Sequence, residues 1–254
     1  MLLVLLAASL CHAAEPLDLL KQAQTAAREQ LKLTARYLGR EDIREYEVKP
    51  NGHKTLRRWT TYEASVMEGA PYYRLVAIKG KPLSKAQEQM QEAAMAHELQ
   101  YRRRTPHSER RNRSRYSASI QHVIEHHDLE LLGEEQMGGR KTWVIQSHLR
   151  PAAPFPAKFE DLMLSGDARL WIDQETGVLV RWRLNVTRSW NSWHAGSTDE
   201  KISMVLAHHE GKPIFVVKEM SARVPLEKGS ARLTVQSFSE YKRFEADSFI
   251  TFEP

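Results

Sequence analysis

Residues 168–186, ARLWIDQETGVLVRWRLNV, constrain the fold more than any other stretch. Val178, Val180, Trp182, Leu184 and Val186 alternate with Leu179, Arg181, Arg183 and Asn185. A period of two belongs to a half-buried antiparallel strand, apolar on one face and wet on the other. The polar turn from Asp173 to Gly177 ends in a glycine, which supplies the positive φ that a hairpin loop needs. Such a hairpin must press its apolar side against something.

The rest of the chain extends this pattern. Strand-like segments follow one another through short Gly- and Pro-containing turns at 50–52, 68–71, 138–139, 211–213 and 227–229. Neighbours joined by short loops pair antiparallel. About ten strands are expected. Residues 17–38 carry Leu17, Leu20, Ala23, Ala27, Leu31, Ala35 and Leu38 at three- and four-residue steps, the stripe of an amphipathic helix, with Gly39 suited to its C-cap. Ser84 opens a polar helical block with Glu88 near the capping-box position, and a second helical piece spans about 109–127. The fold class is therefore α+β: a strongly curved antiparallel sheet, an incomplete β-barrel, with helices covering its concave face. With 41% hydrophobic residues in 254, the chain can bury one sizeable core.

Residues 1–14 read as a signal peptide, an apolar run followed by small residues, cleaved after Ala13 or Ala14. An exported, periplasmic protein is expected, with 15–254 forming one domain that carries a helical insertion at about 84–127. Cys11, the sole cysteine, leaves with the signal, so thiol chemistry is excluded. Leu10 stands where a lipoprotein signal needs a small residue, which argues against a lipid anchor at Cys11.

The order of parts resembles the outer-membrane lipoprotein carrier and sorting superfamily. The carrying stretches are an N-terminal helix after a signal, EGAPYYRLVAIKGKPLS before a charged helix, the GDARLWIDQETGVLVR hairpin, and FSEYKRF near the end. The resemblance implies a half-barrel whose concave apolar face holds acyl chains, in a functionally unassigned exported branch. Candidate lining residues are Tyr62, Leu75, Trp143, Ile145, Leu170, Ile172, Val180, Trp182 and Leu184. Trp190 and Trp193, in a loop of small polar residues, are candidates for contact with a membrane interface.

No catalytic residue is expected. There is no G-x-S-x-G elbow, phosphate loop or H-E-x-x-H. His122 and His126 share a helix face, but a zinc-dependent hydrolase needs a third ligand that spacing does not place. No metal and no cofactor are expected. Seven arginines between Arg102 and Arg115 suit a solvated surface or anionic lipid head groups. Nucleic acid is excluded as a partner, because the stretch holds no interleaved aromatic platform and the chain is read as exported. The expected partners are lipid or lipoprotein acyl chains, an anionic membrane surface, and an envelope protein. The alternative to a carrier is an interaction module with no ligand cavity.

Overall fold

The computed structural model describes residues 15–34, 37–68, 70–104, 115–157, 159–189, 196, 198–209 and 212–243. Helix α1 (Pro16–Thr34) leads into strands β1 (Tyr37–Val48), β2 (Lys54–Met67), β3 (Ala70–Ile78) and β4 (Lys81–Pro82). Helices α2 (Lys85–Arg104) and α3 (Arg115–His126) follow. The chain then runs through β5 (His127–Met137) and β6 (Arg140–Leu149), a 3₁₀ helix (Phe159–Ser165), β7 (Gly166–Asp173), β8 (Leu179–Val186), β9 (Thr198–His209), β10 (Lys212–Pro225) and β11 (Ala231–Arg243).

Among the described residues, the eleven strands form one sheet, ordered β4-β3-β2-β1-β11-β10-β9-β8-β7-β6-β5. Every pair is antiparallel. The eleventh strand beyond the expected ten is the two-residue β4. Every neighbouring pair except β1–β11 is consecutive in the chain; β1–β11 pairs the first and last described strands at the middle of the sheet. The two edges, β4 and β5, are not paired with each other, so the barrel stays open. The helical insertion is the connection between those two edges.

Helix α1 is shorter than its stripe suggested. It ends at Thr34, and Leu38 and Gly39 lie in β1 rather than in the last turn and C-cap of the helix. Strand β1 runs YLGREDIREYEV, with charges on both faces, so no alternation announced it. Gly39 is there for a different reason. A Cβ at this position would meet the Ser239 carbonyl oxygen at 3.0 Å and the Tyr241 ring at 3.1 Å. The cap of α2 is also shifted by one residue. Ser84 and Gln87, not Glu88, make the reciprocal box, with Ser84 N donating to Gln87 Oε1 at 2.9 Å and Gln87 N to Ser84 Oγ at 3.4 Å.

Candidate functional site on the inner face

Residues directly opposite one another in an antiparallel pair share a face. One row of such partners crosses the sheet, Leu131, Ile145, Leu170 and Trp182 and then, beyond β9, Met220, Gln236, Ile43, Thr60 and Ile78. Over β6, β7 and β8 this face is packed shut. Leu19, Leu20 and Ala23 of α1, Ile120 and Val123 of α3, and Leu162 and Met163 of the 3₁₀ helix join Ile145, Leu170, Ile172, Trp182 and Leu184 in one buried cluster. Trp143 packs against it, half-buried. Most of the expected lining is thus brought together, but as core beneath helices.

Val180 is the exception within that strand. Trp171 pairs with Arg181 and Ile172 with Leu179, so Val180 is an extra residue, a bulge, in β8. The bulge breaks the strict alternation read from the sequence. Leu179 joins Ile172 in the main cluster, and Val180 joins a second one with Val144, Trp171, Val178 and Phe215.

Across β11, β1, β2 and β3 the row continues with neither α1 nor α3 of the described residues packed upon it. Helix α1 rests on α3, β10 and β5, and α3 on the 3₁₀ helix, β5 and β6. Helix α2 lies against β3 and has no buried residue. Two residues along from Ile43, Glu41 faces both Tyr62 and Phe238, and Tyr62 faces Leu75. Ile43, Tyr62, Leu75 and Phe238 are half-buried and belong to neither cluster.

This uncovered half carries polar groups that sequence reasoning missed. The Thr60 hydroxyl is buried and lacks a hydrogen-bond partner among the described residues. Burial raises the Glu41 carboxyl above its ordinary range. Glu240, at φ 51°, and a register shift between β1 and β11 turn Tyr241 over Gly39. The Tyr241 hydroxyl donates to the Val217 carbonyl at 2.5 Å. Desolvation pushes its pKa up, and Tyr73 and Glu41 add to the shift. Tyr73 is raised likewise, by desolvation and then by Glu41. The Glu41 carboxylate thus adds to the upward shift of both tyrosines.

The remaining candidates divide. His127 is structural. It is buried, its Nε2 lies 3.1 Å from the Met163 carbonyl oxygen, and desolvation lowers its pKa to about 4. Arg102 fastens α2 to the β2–β3 turn by donating to the Met67 and Pro71 carbonyls at 2.9 and 3.0 Å, and Arg103 pairs with Glu68 at 2.9 Å. These two arginines of the basic run have local partners. Trp190, Trp193 and the signal at 1–14 lie outside the described residues. Among the described residues, no helix is long and apolar enough to cross a membrane.

No family model matches the sequence, and no curated protein matches it. Solved structures are similar over most of the chain. A DUF1329 family protein from Desulfovibrio piger shares 11% identity at a TM-score of 0.39, covering 94% of this chain and 96% of that one. A putative outer membrane lipoprotein-sorting protein domain from Vibrio parahaemolyticus shares 10% at 0.36, covering 88% and 93%. A LolA superfamily protein from Nitrosomonas europaea shares 10% at 0.35, covering 92% and 95%.

Proposed function

We propose that the protein is an exported, non-enzymatic binder of lipid or lipoprotein acyl chains, acting as a carrier at the cell envelope. One observation supports the reading above the others. A single inner face is packed under helices over β6–β8, yet carries half-buried Ile43, Tyr62, Leu75 and Phe238 over β11–β3, which among the described residues belong to neither buried cluster. An acyl chain laid there gains about 0.8 kcal/mol per methylene over water, and little over a bilayer. A site with that balance exchanges its cargo with membranes. The packed residues Ile145, Leu170, Ile172, Trp182 and Leu184 are the floor beside the groove, and Tyr62 and Leu75 touch the chain. The Thr60 hydroxyl and Glu41 receive its polar end. Trp190 and Trp193 provide the membrane contact.

The test is native mass spectrometry of protein exported to a bacterial periplasm, with organic extraction of what co-purifies. Near-stoichiometric lipid or acylated peptide is expected, lost in Leu75→Asp and Tyr62→Asp. A clean apo mass with no uptake of offered phospholipid overturns the reading. A second reading, an interaction module for another envelope protein, is favoured by α2, which buries nothing and exposes Met90 and Tyr101. An apo mass together with a stable protein complex lost in Met90→Asp would establish it instead.

A further inference from the structure

We propose that the last turn of α3 is a binding site for a zinc-class divalent ion, held by His122, Glu125 and His126. Spacing alone placed two imidazoles on one face. The structure adds a carboxylate as the third donor, with one ligand atom from each residue lying within 4.8 Å of the other two. The imidazole rings are stacked, their centroids 6.2 Å apart and their planes 25° from parallel. His126 Nε2 stands 3.8 Å from Glu125 Oε2. Ligand atoms around one tetrahedral zinc sit roughly 3.4 Å apart, given Zn–N and Zn–O bonds of about 2.1 Å. Small side-chain rotations close the difference.

The carboxylate is positioned from outside the site. Gln24 of α1 donates to Gln121 Oε1 at 2.5 Å, and the Gln121 amide donates to Glu125 Oε1. That relay occupies one carboxylate oxygen and leaves Oε2 on the side of His126. Metal ligands are characteristically held by such outer partners. The three residues form the C-terminal turn of a 12-residue helix, where the macrodipole is negative and the Arg150 guanidinium already donates to the Glu125 carbonyl. His127, the adjacent histidine, takes no part, because its Nε2 lies against Met163. Two imidazole nitrogens and one carboxylate oxygen suit Zn²⁺, Ni²⁺ or Cu²⁺ better than Mg²⁺ or Ca²⁺, and leave a fourth position for water.

Calorimetric titration of the full chain with ZnCl₂ tests this, with MgCl₂ as the control. One zinc per chain is expected, and no magnesium. His122→Ala and His126→Ala should each weaken zinc binding about tenfold or more, and Glu125→Gln less. His148→Ala, on β6, should leave binding unchanged. Zinc should raise the unfolding temperature of the parent chain and not that of the doubly substituted His122→Ala, His126→Ala chain. Far-UV circular dichroism of the apo forms confirms that each variant folds. No saturable zinc binding, or binding that persists in the double variant, overturns the proposal.

Discussion

Arg140 donates to both carboxylate oxygens of Asp173, Nε to Oδ2 at 2.6 Å and an Nη to Oδ1 at 2.8 Å. Thr176 adds its backbone N–H and its hydroxyl to Oδ1 at 2.9 and 2.7 Å. Asp173 is 1% exposed, so a buried charge is satisfied on every side where the β5–β6 turn meets the β7–β8 turn. Removing the charge leaves Arg140 facing a neutral amide, with the exposed Glu175 carboxylate, 3.0 Å from an Nη, as its remaining ion partner. Asp173→Asn should cost about 3 kcal/mol in urea unfolding, below the full cost for a buried pair because Arg140 reaches water.

The same carboxylate predicts an acid dependence. Desolvation pushes the Asp173 carboxyl up, but the hydrogen bonds from Arg140 and Thr176 outweigh it and hold the pKa below its ordinary 3.8. A carboxyl depressed on folding contributes stability above its unfolded pKa, and that stability is lost as pH falls through 3.8 toward the folded value. Unfolding midpoints measured from pH 7 down to pH 2 should fall less steeply in Asp173→Asn than in the parent chain.

Glu41 should behave in the opposite sense. Burial alone raises its carboxyl above the ordinary 4.5, so folding favours the protonated form. Its charge opposes folding above the folded pKa, and the opposition is relieved as pH falls through that value. Glu41→Gln should therefore unfold at a higher temperature than the parent at pH 7, with the two curves converging in acid. An unfolding temperature for Glu41→Gln below that of the parent at pH 7 would mean that a partner stabilises the carboxylate.

The packed and uncovered halves of the inner face should respond differently to truncation. Leu184 is fully buried in the main cluster, and Leu184→Ala should cost about 2–5 kcal/mol. Leu75 is half-buried outside it, and Leu75→Ala should cost about 1 kcal/mol in the lipid-free protein. Chemical denaturation of both variants measures the contrast. Equal costs would mean that the second half is as closely filled as the first.

Gly166 opens β7 opposite Val186. A Cβ there would stand 1.9 Å from the Asn185 carbonyl oxygen and 2.8 Å from Thr187 N, both main-chain atoms that no rotamer change can move. Gly166→Ala should cost about 3 kcal/mol, at the upper end of overpacking effects, or abolish soluble expression. Retention of the parent's denaturation midpoint would count against this register of β7 on β8.

Local chemistry determined much of this protein in the sequence itself. The β7–β8 hairpin, helix α1 and the helical insertion were legible because period and turn residues act over a few positions. That Ile145, Leu170, Ile172, Trp182 and Leu184 are apolar strand residues was legible too; that helices α1 and α3 pack them into one core was not. Tertiary structure alone decided the rest. The β1–β11 pairing joins Tyr46 to Leu233, and no local pattern encodes a partner at that distance along the chain. Val180 left the inner cluster because a bulge is a property of two paired strands, not of one. Gly39 belonged to Tyr241 rather than to a helix end, and a steric partner so remote in sequence becomes visible only when the sheet assembles. The Glu125 carboxylate stands beside His122 and His126 while accepting from Gln121, which in turn accepts from Gln24 across the packing of α1 on α3, a relation no local pattern encodes.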